Sequence, residues 1–190
     1  LLAISPIERA DLPLARALRR QGVAAAIDIG RDPVRWPGLL AALSGQAWVG
    51  IGLRIPEGVA FGSLSLPATI DFLIVAAEGA GLPDAWRRVP ILAQVCSVDE
   101  ARRALASGVS GLVSKGQESG GRVGAESSFV LLQRVLELAE AGATPVWCQG
   151  GIGLHTAAGA FAAGAAGVVL DAVLATLPEC SLPDEIKAQI

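Results

Sequence analysis

The amino-acid sequence predicts a compact α/β fold, a (β/α)8 TIM barrel whose strands are all parallel. Eight short apolar runs recur along the chain, and most lack the polar–apolar alternation of strands that face water. Helical patterns separate most of these runs. A joint of helix end, glycine turn and apolar strand also repeats at residues 17–23, 104–113 and 160–169. Strands that alternate with helices form a parallel sheet, and eight such units close into a barrel.

An open, doubly wound sheet is the alternative fold, but the glycine-rich dinucleotide fingerprint it would need is missing near the first strand. The chain has 190 residues, whereas about 250 is typical of the barrel, so a trimmed barrel is expected. The predicted strands are Leu2–Ser5, Val23–Ile29, Ala47–Leu53, Asp71–Ala76, Pro90–Cys96, Gly111–Ser114, Pro145–Gln149 and Gly167–Asp171.

The predicted helices rest on periodicity and on signals at their ends. Pro13–Arg20 has its proline in the first turn, where a backbone N–H would have no acceptor within the helix, and it ends before Gly22. Ser97 and Glu100 form a capping box for a helix that runs through Ala106. The remaining predicted helices are Pro33–Leu43, which Pro37 is expected to interrupt, Ser128–Ala141, which Gly142 ends, and Thr156–Ala163. Pro56–Thr69 is expected to be an irregular crossover.

Composition indicates one domain, residues 1–190, because a chain of this length can bury a full core. Hydrophobic residues make up 52% of it, and the net charge of −3 gives no electrostatic reason to expect binding to nucleic acid or to an anionic membrane. The most membrane-like run, Thr156–Leu170, is too short to span a bilayer. Because no methionine is present, we expect a fragment of a longer chain.

The three cysteines are odd in number and widely spaced, so they form no pattern typical of a metal site. Free thiols in a reducing compartment, and hence a cytoplasmic location, are expected. They are Cys96, Cys148 and Cys180.

Two glycine-rich stretches carry the functional prediction. Lys115–Gly124 follows the sixth predicted strand, and Gln149–Gly153 follows the seventh; a helical pattern comes after each. Glycines leave backbone N–H groups uncovered, and a helix N-terminus adds partial positive charge, so such loops bind phosphate. We therefore predict a phosphate-bearing ligand at one mouth of the barrel, although tight turns without a ligand would use the same glycines.

The same stretches resemble a known family. Gly116–Gly124 reads G-Q-E-S-G-G-R-V-G, which resembles the G-x-E-A-G-G-H-x-G loop of the nitronate monooxygenase family, a family that also includes flavin-dependent enoyl-ACP reductases. Pro145–Gly153 resembles that family's phosphate loop, and the first βαβ unit is also similar. This sequence also resembles barrels of this type that are fused to polyketide-synthase-like modules.

The resemblance implies an FMN-dependent barrel enzyme. It implies that Gly150 and Gly151 bind the FMN phosphate through backbone N–H groups. The other residues that it places in the cofactor site are Lys115, Gly116, Gln117, Gly120, Gly121, Gln149 and Asp171, with Glu118 and Arg122 in catalytic positions. Glu118 is equally suited to capping a helix or to an ion pair, and Arg122 to an ordinary surface position.

Two residues depart from the family pattern. Arg122 stands where the family has its catalytic histidine, and an arginine cannot act as a general base at neutral pH. It could hold an anion instead. Asp171 stands where the family has glycine after the eighth strand, and a carboxylate beside a phosphate is electrostatically unfavourable.

Three functions remain open on this reasoning. The first is an FMN-dependent oxidoreductase with a small or acyl substrate. The second is a non-catalytic barrel that docks neighbouring domains of a multidomain synthase. The third is a flavin-free lyase or isomerase, for which Glu118 and Lys115 are the local acid–base candidates.

Overall fold

The protein is an eight-stranded closed barrel in which every neighbouring pair of strands is parallel, so the predicted fold class is confirmed. This computed structural model describes residues 1–45, 49–59, 64–76, 83–139 and 143–189. The strands are β1 Leu2–Ile4, β2 Ala24–Asp28, β3 Ile51–Ile55, β4 Phe72–Ala76, β5 Ile91–Val95, β6 Gly111–Lys115, β7 Val146–Gln149 and β8 Gly167–Leu170. Pairing of β1 with β8 closes the barrel.

The α-helices are α1 Leu12–Arg20, α2 Trp36–Ser44, α3 Val98–Ala106, α4 Ser128–Leu138, α5 Leu154–Ala162 and α6 Asp184–Lys187. Short 3-10 helices cover Asp84–Arg88 before β5 and Ala172–Thr176 after β8. Ser97 caps α3 as predicted, since its hydroxyl accepts a hydrogen bond from the Glu100 N–H. The predicted capping box is not closed, because Glu100 Oε2 accepts a hydrogen bond from Cys96 N rather than from Ser97 N.

Several predicted boundaries differ from those in the structure, including the end of α4, which lies at Leu138 and not at Ala141. Pro37 does not interrupt α2; the helix begins at Trp36, which leaves Pro37 in the first turn, where a missing N–H costs nothing. The strand predicted over Ala47–Leu53 begins at Ile51 instead, and its predicted residues Ala47 and Trp48 lie outside the described residues. Helix α5 begins at Leu154 rather than Thr156.

Other predictions fall partly on residues that are not described. These include the end of the helix predicted over Ser128–Ala141, together with Gly142, and part of the crossover Pro56–Thr69. The described residues of that crossover lie in neither a helix nor a strand, as expected.

The interior of the barrel is apolar at its base. Buried side chains from six strands form one cluster inside the barrel: Leu2, Ile4, Ala26, Ile74, Leu92, Val113 and Val169. Phe72 and Trp147 pack against it. Gly167 is needed here because a side chain at that position would begin 2.6 Å from the indole of Trp147. Two larger clusters lie between the strands and the surrounding helices. Because these side chains fill one end of the barrel interior, a ligand is expected at the opposite end.

Within the residues that the structure describes, none of the helices has the length and apolar character needed to cross a membrane.

Candidate functional site

The last inward-facing side chain of most strands is polar. Side chains alternate between the two faces of a strand, so the residue two positions after an interior residue also faces inward. Val113 lies in the apolar base, and Lys115 follows it at the mouth; Leu92 is likewise followed by Gln94. On three other strands, the residue two positions after an interior residue is also polar and lies at the mouth: Asp28, Gln149 and Asp171. Arg54 of β3 lies there as well.

Five of these side chains form one continuous hydrogen-bonded chain, which we call the mouth network. Its members are Asp28, Arg54, Gln94, Gln149 and Asp171. Arg54 donates from Nη1 to Asp28 Oδ2 at 2.8 Å and from Nη2 to Gln94 Oε1 at 3.2 Å. Gln94 Nε2 donates to Gln149 Oε1 at 2.6 Å, and Gln149 Nε2 donates to Asp171 Oδ2 at 2.9 Å. Asp28, Arg54, Gln94 and Gln149 are buried, so these bonds also satisfy polar groups that lack water.

Lys115 differs from the mouth network, because its ammonium group has no hydrogen bond or ion pair in the described part of the chain. The residue is only 2% exposed. Burial lowers the pKa of Lys115 below its ordinary value, and the positive charges of Arg54 and Arg122 act in the same direction; Cys96 and Asp171 oppose the shift. An unpaired buried amine is unusual, because buried charges are normally paired.

Two neighbouring cavities open at this end of the barrel. The central cavity has a volume of about 190 Å³. Its lining residues are Ile4, Ser5, Pro6, Ile7, Asp28, Arg54, Gln94, Lys115, Gly120, Gln149, Asp171, Ala172 and Ala175. The lateral cavity has a volume of about 110 Å³, and its lining includes Cys96, Gly121 and Arg122. Both are lined by Ile7, Arg54 and Gln94, so they share a wall.

The two predicted loops lie at the same rim, as expected. The N–H of Gly116 donates to the carbonyl of Gln149 at 2.9 Å, and a side chain at Gly150 would begin 3.0 Å from Ser119 Oγ. Gly150 and Gly151 both have left-handed backbone conformations, with φ of 116° and 60°. Because few other residues adopt these angles, glycine is required for this turn into α5.

The structure does not bring all of the predicted site residues to the cavities. Lys115, Gly120, Gln149 and Asp171 line the central cavity, and Gly121 and Arg122 line the lateral one. Five others line neither cavity. Gly150 and Gly151 lie in the turn into α5, and Gly116, Gln117 and Glu118 lie behind the mouth against the start of α4. A side chain at Gly116 would begin 2.1 Å from Ser128 N, and the N–H of Gln117 donates to the Glu126 carbonyl.

Glu118 caps helix α4. Its Oε2 accepts a hydrogen bond from the N–H of Ser128, the first residue of the helix, at 2.9 Å. Its side chain also lies against the second glycine loop, since a side chain at Gly151 would begin 3.4 Å from Glu118 Cβ. Glu118 is therefore engaged structurally, and it is not among the residues that line either cavity.

Arg122 is tied to two carboxylates at the rim. Its guanidinium contacts Glu100 through both terminal nitrogens and Glu57 through Nε at 3.1 Å. The hydrogen bonds with Glu100 raise the pKa of Arg122 further above its already high value. Burial alone would raise the pKa of Glu100, but the hydrogen bonds from Arg122 and the Cys96 N–H and the charge of Arg122 hold it below its ordinary value.

Asp171 occupies the position after β8 where this barrel fold commonly receives phosphate. Its Oδ1 accepts a hydrogen bond from Ala172 N at 2.7 Å and so caps the 3-10 helix that follows. In phosphate-binding barrels, the N-terminus of a short helix in this place helps to hold the anion. Here a side-chain carboxylate already satisfies that N–H.

Comparison with known proteins decides the family. The family model described as nitronate monooxygenase matches residues 87–190, which is more than half of the chain. The chain belongs to the nitronate monooxygenase family. The matched part of this family barrel includes both glycine loops, Lys115, Arg122 and Asp171.

One curated protein and two solved structures are also similar to this chain. The chain is 35% identical over 121 residues to the Mycobacterium tuberculosis protein Rv1533, which is named as a monooxygenase; the match covers 60% of this chain and 32% of the relative. FabK from Thermotoga maritima superposes with a TM-score of 0.80 at 22% identity, over 99% of this family member and 63% of FabK. A nitroalkane oxidase from Streptomyces ansochromogenes gives a TM-score of 0.75 at 18% identity, over 98% of this chain and 69% of the other.

These structural matches are below 25% identity, so they support the fold alone. The family barrel spans about one third of Rv1533 and less than two thirds of FabK. Fusion to polyketide-synthase-like modules stays a prediction.

Sequence reasoning missed Asp28, Arg54 and Gln94. A signal for them was present, because Asp28 and Gln94 lie within otherwise apolar predicted strands and Arg54 directly follows another. Polar residues that continue the inward-facing period of a buried strand have to face a common polar site.

Proposed function

We propose that this domain is an FMN-dependent oxidoreductase of the nitronate monooxygenase and enoyl reductase type, with a small or acyl substrate at the barrel mouth. The observation that supports this most is the meeting of the two family loops at one rim, beside the unpaired amine of Lys115. A cytoplasmic location is part of the proposal.

Several residues at the rim fit a flavin. Ser119 Oγ is buried and has no hydrogen-bond partner among the residues that the structure describes, and it faces the space that a Gly150 side chain would fill. Gly150 and Gly151, with the start of α5, would hold the phosphate through backbone N–H groups. Lys115, Gln149, Gly120 and Gly121 would line the ring. Bound flavin would supply the electron transfer, whereas the protein supplies binding and electrostatics.

Two carboxylates would repel a phosphate group bound in this arrangement. Asp171 caps the helix after β8, and Glu118 lies against the loop of Gly150 and Gly151. Phosphate is anionic, so its repulsion by these groups weakens binding. We therefore propose that the domain holds FMN weakly and exchanges it with solution.

Arg122 and Glu118 take supporting roles in this proposal. Arg122 cannot accept a proton at neutral pH, and an anionic substrate would have to compete with Glu100 and Glu57 for its guanidinium. Glu118 fixes the start of α4 and, through it, the loop between β6 and α4. Neither group is therefore assigned as a general base that would take the α-proton of a nitroalkane.

Asp171 also favours a second candidate function. If the phosphate site is closed, the barrel serves as a non-catalytic domain that docks neighbouring domains of a multidomain synthase. Flavin binding separates the two candidates, because only the first requires it.

The test is reconstitution with excess FMN, followed by the visible absorption spectrum and by titration of flavin fluorescence. We expect saturable binding that Gly151→Asp abolishes, because it adds a third carboxylate at the loop. Gly151→Asn is the matched control: it is close to aspartate in size and in its tolerance of a left-handed φ, but it carries no charge. Equal affinity of the Gly151→Asp and Gly151→Asn proteins would contradict the phosphate position, and no saturable binding would favour the docking function.

A further inference from the structure

Lysine is rare in this chain, and one of its two lysines is buried at the barrel mouth. The other is Lys187 in α6, and thirteen of the fifteen basic residues are arginines. Lys115 ends β6, is 2% exposed and lines the central cavity. Unlike arginine, lysine loses its proton readily when buried, so the two residues are not equivalent at this position.

The surroundings of Lys115 favour its neutral form without removing it from reach of a ligand. The charged or titratable groups that act on it are Cys96, Arg54, Asp171 and Arg122, and burial has the largest effect on its pKa, which it lowers. Arg54 is already bound to Asp28 and Gln94, so it places a fixed positive charge beside the amine. A neutral amine that faces a cavity is a nucleophile.

We propose that the Lys115 amine reacts with a short-chain aldehyde or ketone in the central cavity to form an imine. The inference is independent of the flavin and of the proposed oxidoreductase function, because the reaction needs neither an oxidant nor a reductant.

The reaction balances within the site. The nitrogen lone pair forms a bond to the carbonyl carbon, the π electrons of the C=O bond move to oxygen, and one proton passes from nitrogen to that oxygen. The resulting carbinolamine then loses its hydroxyl group and the second nitrogen proton as water, which leaves a C=N bond. Asp28 and Asp171 both line this cavity; Asp28 is held in an ion pair with Arg54, so Asp171 would carry these protons.

The cavity limits the size and polarity of the carbonyl compound. Its volume of about 190 Å³ is below the range of roughly 300–1,000 Å³ found for drug-sized ligands. Its apolar lining comes from Ile4, Pro6, Ile7, Ala172 and Ala175. A compound with a short apolar chain and a single reactive carbonyl fits this space better than a long acyl group or a sugar phosphate.

The experiment is reductive trapping with propanal and sodium cyanoborohydride at neutral pH, followed by peptide mass spectrometry. Lys187 is the internal reference, because its side chain is 15% exposed and so more accessible than that of Lys115. We expect propyl labelling of Lys115 to be faster than that of Lys187, because burial lowers the pKa of Lys115 and so raises the unprotonated fraction of its amine. A buried lysine without this role would be labelled more slowly than Lys187.

Labelling of Lys115 at or below the rate of Lys187 would overturn the proposal, and this comparison needs no variant. Lys115→Arg should remove the fast label and leave Lys187 unchanged, and its folding is checked by circular dichroism. Asp171→Asn should slow the Lys115 label several-fold while leaving that of Lys187 unaffected. Because labelling is measured without flavin, failure to bind FMN would not affect the result.

Discussion

The guanidinium of Arg122 holds the carboxylate of Glu100 by two hydrogen bonds, from Nη1 to Oε1 at 2.7 Å and from Nη2 to Oε2 at 3.1 Å. Glu100 also accepts the backbone N–H of Cys96, the residue that follows β5. The pair therefore connects the loop after β6 to the start of α3 across the rim. Arg122, which the sequence resemblance places at the family's catalytic histidine, thus holds the loop after β6 against α3.

The first prediction concerns the oxidation of neutral nitroalkanes, whose α-proton has to be removed. With excess FMN, the unmodified chain should oxidise them slowly, because a general base contributes about 10²–10⁴-fold to such a step and Arg122 cannot supply one. Oxygen consumption measures this. The variant Arg122→His combined with Asp171→Gly should be more active than either single variant, since it restores the family residue at both positions. Fast turnover by the unmodified chain would show that another group acts as the base.

The second prediction concerns acid stability. The pKa of Glu100 is lower when folded than its ordinary value of 4.5, so the folded state binds fewer protons than the unfolded state in this range. Its contribution is complete above pH 4.5 and is lost as the pH falls through the lower, folded pKa. The free energy of unfolding, measured in urea, should therefore fall less steeply below pH 4.5 in Glu100→Gln than in the unmodified chain. Parallel profiles would contradict this.

The third prediction separates the phosphate from the ring of the flavin. Asp171→Asn keeps the size of the side chain and removes its charge, so FMN affinity should rise by about tenfold, or about 1.4 kcal/mol. Riboflavin lacks the phosphate, and its affinity should change little. Fluorescence titration of both flavins measures this difference. An equal change for FMN and riboflavin would mean that Asp171 does not face the phosphate.

The fourth prediction concerns the mouth network. Arg54→Met leaves the carboxylate of Asp28 buried without its ion pair, which should destabilise the fold by about 3–5 kcal/mol. Adding Asp28→Asn removes the unpaired charge, so the double variant should recover a large part of that loss. Urea unfolding of the two variants measures it. If the double variant is no more stable than Arg54→Met, the loss comes from packing rather than from an uncompensated charge.

More of the polar residues at the barrel mouth could have been predicted from the sequence. Gln94 and Arg54 lie in buried strands where an apolar residue is expected, and the two-residue period of a strand places them in the barrel interior. The capping role of Glu118 was one of two alternatives that the sequence left open. Its distance of ten residues from Ser128 exceeds the reach of local capping patterns, so only the folded loop could decide it.

The sequence by itself determined the barrel and the common rim of the two glycine loops. Eight apolar runs separated by helices or crossovers form parallel strands, and the carboxyl ends of parallel strands lie at one end of the barrel. Only the tertiary structure decided which side chains meet there. Arg122 forms ion pairs with Glu100 and Glu57, and Gln94 forms a hydrogen bond with Gln149, although these partners are far apart in the chain. Such contacts depend on how far neighbouring strands are shifted when the barrel closes, and local periodicity does not specify that shift.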